Sequence, residues 1–125
     1  MKIQIYYEDT DCGGVVYYAN YLKYFERSRT EYFKERGICV KDLKDKGIQF
    51  VVVRAEVDYK SPAVYGDTIE IDTTVDDKQA ASFNISYVVK EASSGRTIAL
   101  GKTRMACVDQ RLKPVRLPVE VVEKL

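Results

Sequence analysis

Apolar and polar residues alternate from the start of this chain. Ile3, Ile5 and Tyr7 fall on one side of an extended segment over residues 2–8, with Lys2, Gln4 and Glu8 on the other. A period of two is the pattern of a half-buried strand. A polar break follows, Asp9-Thr10-Asp11-Cys12-Gly13-Gly14, whose paired glycines allow a tight turn. The period then lengthens. Tyr21, Phe25, Ser28 and Tyr32 recur at helical spacing beside Leu22, Arg29 and Phe33, predicting a helix over 20–36. Asn20 is the expected cap, unless Tyr17-Tyr18-Ala19 already forms a first turn. Gly37, behind Lys34 and Arg36, is the natural stop.

Beyond the helix the period returns to two. Val51, Val53, Ala55, Val57 and Tyr59 face one way, and Val52, Arg54, Glu56 and Asp58 the other, until Ser61-Pro62 breaks the run. Ile69, Ile71 and Val75 alternate with Glu70, Asp72 and Asp76. After a polar link at Asp77-Lys78-Gln79, Ala81, Phe83, Ile85, Tyr87 and Val89 form the next apolar face. Ser93-Ser94-Gly95 turns the chain into a last strand over about 97–108, with Ala99, Gly101 and Thr103 as a small-residue face. Short links favour antiparallel pairing. The tail, with Pro114 and Pro118, is expected to run irregularly.

The layout is therefore α+β: one strand, one long helix, then four strands, in a single domain over 1–125. One helix covers one face of a sheet. The other face is solvated or buried by another subunit, with Val52 and the small face near Gly101 as expected contact positions.

Composition narrows the chemistry. The chain has 125 residues and no histidine, which removes Ser-His-Asp and Cys-His arrangements and any imidazole metal site. The three cysteines, Cys12, Cys39 and Cys107, are far apart and match no disulfide, zinc or redox spacing, so no metal is expected. A net charge of +1 gives no global case for nucleic-acid binding. No run approaches ~18 apolar residues, so no membrane span is expected. The start of the chain lacks a signal-peptide core, and the cytoplasm is the expected location.

The densest segment is Tyr6 to Tyr21. It carries carboxylates into a glycine turn just ahead of a helix start, where unpaired backbone N–H groups stabilise negative charge. Such a carboxylate can attack a carbonyl, or activate water to do so, while the amides hold the oxyanion. Capping and a surface turn account for the same residues more plainly.

Asp9-Thr10-Asp11, Gly14-Val15-Val16-Tyr17, Asn20-Tyr21 and Glu26-Arg27-Ser28-Arg29 resemble the signature of the 4-hydroxybenzoyl-CoA thioesterase-like hotdog family. The branch most similar is that of acyl-CoA thioesterases encoded with the Tol-Pal envelope system. The likeness continues through Phe50-Val51-Val52-Val53-Arg54, Tyr59-Lys60-Ser61-Pro62-Ala63, Gly66-Asp67 and Cys107-Val108-Asp109.

This resemblance implies a hotdog fold, a curved antiparallel sheet around one long central helix. It implies hydrolysis of acyl-CoA by a homodimer or dimer of dimers, with no cofactor beyond the CoA of the substrate and a functional link to the Tol-Pal system. It places the catalytic carboxylate at Asp11 and the oxyanion donor at the backbone N–H of Tyr18. That branch commonly carries histidine where Tyr18 stands, a change that spares a backbone donor. A carrier-protein thioester as substrate, and a binding or scaffold protein of low activity, remain alternatives.

The other residues divide between substrate and structure. Tyr17 and Tyr21 are placed to line an acyl channel, and Lys60 with Ser61 are the first candidates for binding CoA. Further cations are Arg54, Lys90, Arg96, Lys102 and Arg104, and the segment 101–125 holds six Lys and Arg against three Asp and Glu. No glycine-rich phosphate loop is present. Asp9 reads as a cap or turn residue, Glu26 as an ion-pair partner of Arg27 or Arg29, and Asp67 as part of a turn. Cys12 lacks a histidine to activate it, and Cys39 and Cys107 read as small apolar residues.

Overall fold

In the computed structural model, which describes all 125 residues, five strands pair antiparallel in one sheet. They are β1 (Lys2–Gln4), β2 (Gln49–Tyr59), β3 (Thr68–Asp76), β4 (Ser82–Glu91) and β5 (Thr97–Val108), in the order β1-β3-β4-β5-β2. The long helix α1 (Asn20–Glu35) packs on the inner face, and two six-residue helices, α2 (Val40–Asp45) and α3 (Val119–Lys124), complete the chain. This is the α+β arrangement that the sequence pattern and the family resemblance both imply.

Alternation decides which face is inner. Ile69, Ile71, Phe83, Ile85, Tyr87 and Val89 are buried against α1, whose Tyr21, Tyr24, Phe25, Ser28, Tyr32 and Phe33 form the facing stripe. Each such aromatic or aliphatic side chain, once buried, contributes about 1.5–3 kcal/mol. The Phe25 ring stacks on Tyr87 at 4.2 Å and lies over Gly101. Polar groups enter this core as two pairs: Ser28 Oγ with Thr73 Oγ1, and the Tyr87 hydroxyl with Thr103 Oγ1 at 2.8 Å. The helix ends where Gly37 takes φ +71°, a left-handed stop that suits glycine.

Several expectations need correction. The first strand stops at Gln4, because a 3-10 turn over Tyr7–Asp9 carries the chain away from β3, and Tyr7 is 76% exposed. The small face of β5 receives α1 rather than a partner, since Gly101 pairs with Tyr87 and Val57 on the inner side. In β2 a bulge falls between Val52 and Arg54 and resets the alternation: Val52 pairs with Met105, and Val51 with Ala106 on the outer side. Val53 is the unpaired residue of the bulge. The tail is not wholly irregular, because Val121 of α3 is buried in the core. Neither α2 nor α3 was read from the sequence, since six residues are too few to establish a helical period.

The outer face of the sheet is polar. Lys90 meets Asp72 at 3.6 Å, and Arg104 donates to Asp77, Asn84 and Ser82. The apolar exposure lies instead on β2, the sheet edge, where Val52, Val53 and Tyr59 are exposed.

Candidate active site

The segment from Tyr6 to Tyr21 folds into a loop held at several points. Thr10 bridges Val16 in antiparallel fashion, and the Asp11 N–H donates to the Val15 carbonyl at 2.9 Å. Gly14 makes this reversal possible with φ +80°, its N–H donating to the Asp11 carbonyl at 3.0 Å. Val15 bridges Val64, and the Val16 N–H donates to the Ala63 carbonyl, so the loop is fastened to the segment that links β2 to β3.

Asp11 is exposed at the tip of this loop. Its Oδ1 accepts the Gly13 N–H at 2.8 Å, while Oδ2 has no hydrogen-bond or ion-pair partner in the chain. A Cβ at position 13 would come within 3.2 Å of Oδ1, so the glycine leaves the carboxylate room to fold back on its own turn.

The helix start is reached through a turn, with the Asn20 N–H bonded to the Tyr17 carbonyl at 2.9 Å. No side chain caps α1. Asn20 is not the cap expected of it: its amide nitrogen donates to the Asp9 carbonyl at 2.9 Å, pointing back into the loop. The Tyr18 N–H finds no acceptor in the chain. Its residue is nevertheless held, because the Tyr59 hydroxyl donates to the Tyr18 carbonyl at 2.9 Å. That bond, between residues 41 apart, had no local signal in the sequence.

Tyrosines surround this start. Tyr17 and Tyr18 are exposed with rings 4.9 Å apart, and Tyr59 sits edge-on to Tyr18 and to Tyr21. Burial pushes the Tyr21 phenol up to about 12, opposed in part by the Ala63 backbone N–H. Burial, then the neighbouring Tyr18, raises Tyr59, and a hydrogen bond and charge from Tyr18 raise Tyr17. These phenols are neutral at ordinary pH, so the surface around the helix start is aromatic with hydroxyl tips.

The remaining candidates separate. Tyr17 is exposed at the surface, whereas Tyr21 is a core residue. The Lys60 side chain is exposed and forms no ion pair. Ser61 is engaged in structure, donating to the Thr97 carbonyl at 2.7 Å and accepting from Arg96 at 2.6 Å. Arg96 also reaches the Pro62 carbonyl and Glu91, tying the β2–β3 link to the β4–β5 hairpin. Glu26 accepts from Thr30 and pairs with neither Arg27 nor Arg29. Asp67 holds its turn by accepting the Val64 N–H at 3.0 Å. Cys107 is buried as read, but Cys12 and Cys39 are exposed. No three Cys, Asp or Glu side chains gather as a metal site. A cleft of about 280 Å³ opens between α1 and β3, lined by Ser28, Glu31, Tyr32 and Thr73 among others; neither Asp11 nor Tyr18 borders it.

This loop, with a free carboxylate oxygen and a free amide at a helix start, sits on a sheet wrapped around one helix, as in thioester hydrolases of the hotdog type. The sequence pattern of the thioesterase-like superfamily matches residues 6–125, and the chain belongs to that superfamily. It is 37% identical over 123 residues to an acyl-CoA thioesterase, YbgC, of Haemophilus influenzae, covering 95% of this chain and 88% of the relative. Among solved structures it is similar to the BH1999 gentisyl-coenzyme A thioesterase, with a TM-score of 0.90, 27% identity and 98% of each chain covered. The DHNA-CoA thioesterase of Staphylococcus aureus superposes with a TM-score of 0.89 at 28% identity, covering 94% of this chain and 78% of that one.

Proposed function

We propose that this chain hydrolyses acyl-CoA thioesters to the free acid and CoA. The observation that carries this reading is that one short loop presents two unsatisfied groups of complementary use: Asp11 Oδ2 and the Tyr18 N–H. Asp11 either takes a proton from the attacking water or attacks the thioester carbonyl itself, in which case water then hydrolyses the mixed anhydride to release the acid and restore the carboxylate. The carbonyl oxygen gains negative charge and is held by the Tyr18 N–H; the carbon–sulfur bond then breaks and the CoA thiolate leaves, to be protonated by solvent. One well-placed oxyanion donor is worth about 100- to 1,000-fold in rate. Water is the only co-reactant, and no cofactor takes part. The YbgC relative supports the acyl-CoA assignment through its name and its similarity along nearly the whole chain.

Tyr17 and Tyr18 supply an aromatic wall for the acyl group, with Tyr21 bracing it from within the core. Lys60 is a cation without an ion pair that can meet a CoA phosphate, and Ser61 shapes its loop. CoA thioesters are intracellular metabolites, so the reaction belongs in the cytoplasm.

The working unit is at least a homodimer. An eleven-residue edge strand with Val52 and Val53 exposed is an open template for a second copy of β2. Sedimentation equilibrium is expected to give a multiple of the chain mass, and a monomer at every concentration would overturn the dimer.

Thiol release across a panel of acyl-CoA substrates, with matched carrier-protein thioesters as a second arm, tests the activity. Turnover of at least one acyl-CoA is expected. If every acyl-CoA stays intact, the assignment fails.

A further inference from the structure

The two groups proposed to carry the reaction hang from one short stretch of chain, residues 59–64. At its start, the Tyr59 hydroxyl holds the Tyr18 carbonyl at 2.9 Å. At its end, Val64 bridges Val15, whose carbonyl accepts the Asp11 N–H at 2.9 Å. Beside it the Ala63 carbonyl accepts the Val16 N–H at 2.9 Å. The spacing between Asp11 and the Tyr18 N–H is therefore inherited from the course of the chain between Tyr59 and Val64.

That course is pinned at its middle by one side chain from the turn between β4 and β5. Arg96 Nη1 donates to Ser61 Oγ at 2.6 Å and to the Pro62 carbonyl at 2.9 Å. The strand ladder gives out at this point. The Lys60 and Ser61 N–H groups both reach the Ile98 carbonyl, at 2.8 Å and 3.1 Å, and Pro62 has no N–H to continue it. No other donor in the chain reaches the Pro62 carbonyl. Two carboxylates orient the guanidinium from its other side: Nη2 donates to Glu91 at 3.1 Å and lies 3.9 Å from Asp67 Oδ2. That same Asp67 oxygen accepts the Val64 N–H at 3.0 Å. The planar fork of an arginine holds its donors at fixed angles, which a lysine ammonium does not.

We propose that Arg96 is a positioning residue for the reaction: by fixing Ser61 and Pro62 it sets the separation of the Asp11 carboxylate and the Tyr18 N–H. This rests on the reading that those two groups carry the reaction. Arg96 acts through the β2–β3 link and not on the reacting atoms, so its loss falls on kcat more than on KM.

The test combines steady-state kinetics with amide hydrogen exchange on Arg96→Ala and Arg96→Lys, after folding and assembly are checked. Misplacement of reacting groups by an ångström costs up to about 100-fold, so kcat of Arg96→Ala is expected to fall about tenfold, with KM within about threefold. Exchange at the Asp11 and Val16 amides should quicken by about tenfold while the amides of β4 keep their protection, the mark of a local loosening. Arg96→Lys keeps the charge but not the fork, should lose kcat as well, and carries the test if Arg96→Ala does not fold. A lower melting temperature with kcat unchanged overturns the proposal, because Arg96 then only braces the hairpin. A rise in KM with kcat intact overturns it too, because Arg96 then serves as a cation for the substrate. Exchange at Asp11 and Val16 that matches the parent, or an Arg96→Lys that turns over like the parent, does the same. Asp11→Asn separates the two levels. If it is inactive while Arg96→Ala matches the parent, only the role of Arg96 fails; if it remains active, the reading of the site fails and the role of Arg96 falls with it.

Discussion

Gly101 lies directly beneath the ring of Phe25: a Cβ at position 101 would stand 2.3 Å from Phe25 Cζ. The ring is also stacked on Tyr87 with only 9° between planes, so it cannot tilt away without giving up that contact. The centre of α1 thus approaches the sheet closely only because β5 carries no side chain there. Gly101→Ala is expected to destabilise the fold by about 1–3 kcal/mol, the usual cost of overpacking a core. Urea and thermal denaturation measure it. An unchanged midpoint would show that α1 has slack the structure does not suggest.

Asp11→Asn keeps the size of the side chain and its bond from Gly13 but removes the charge. Its kcat should fall by at least ~100-fold, the lower range for general acid–base catalysis. Cys12→Ala, one residue along, should retain most activity. The reverse pattern would move the chemistry to the thiol. Single-turnover hydrolysis in 18O-labelled water then divides the two roles of the carboxylate. Label entering Asp11 supports direct attack through a mixed anhydride opened at the Asp11 carbon; label confined to the released acid favours attack by water, the other route to it being an anhydride opened at the substrate carbon.

Tyr59→Phe removes the donor that holds the Tyr18 carbonyl while keeping the aromatic ring. A net hydrogen bond is worth about 1 kcal/mol, so kcat is expected to fall by about fivefold. Tyr18→Phe keeps the backbone N–H and should change kcat less. A larger loss in Tyr18→Phe than in Tyr59→Phe would place the phenol of Tyr18, rather than its amide, in the reaction.

Stability should decline at alkaline pH. Burial holds the Tyr21 proton to about 12, above the ordinary value of 10.0, and burial raises Tyr24 as well. Above the ordinary value the unfolded chain loses these protons while the folded chain keeps them. Their contribution is complete below pH 10.0 and is lost as pH rises towards about 12. The urea midpoint should drop between these limits, and Tyr21→Phe should make the drop shallower. A midpoint that stays level across this range would contradict the burial of both phenols.

The legible part of the site was what lay close together in sequence. Asp11, the glycine turn and Tyr18 fall within eight residues; a carboxylate ahead of a helix start was legible there, and the family resemblance implied the roles proposed for Asp11 and the Tyr18 amide. The bonds that hold this segment in place were not legible. Tyr59 to Tyr18 spans 41 positions, and nothing in the strand pattern of β2 marks Tyr59 as a donor. Ser61 was read as a substrate contact because of its neighbours, but its hydroxyl is occupied by Thr97 and Arg96. Asn20 suits a helix cap by residue type, yet it serves as a donor because the Asp9 carbonyl lies within its reach.

The sequence by itself determined the long elements and most of their faces. Side-chain period is a local property, and it placed α1, the inner residues of β3, β4 and β5, and the turns at Gly37 and Gly95. It did not determine where alternation would slip. The bulge at Val53 depends on how β2 meets β5 across the sheet, and the early end of β1 depends on a 3-10 turn that carries Tyr7 outward. The small face around Gly101 was read as room for a partner. Only the packed structure gave it to Phe25, because α1 must come close to the sheet to bury its aromatic stripe, and closeness between distant segments is not written in the spacing of either one.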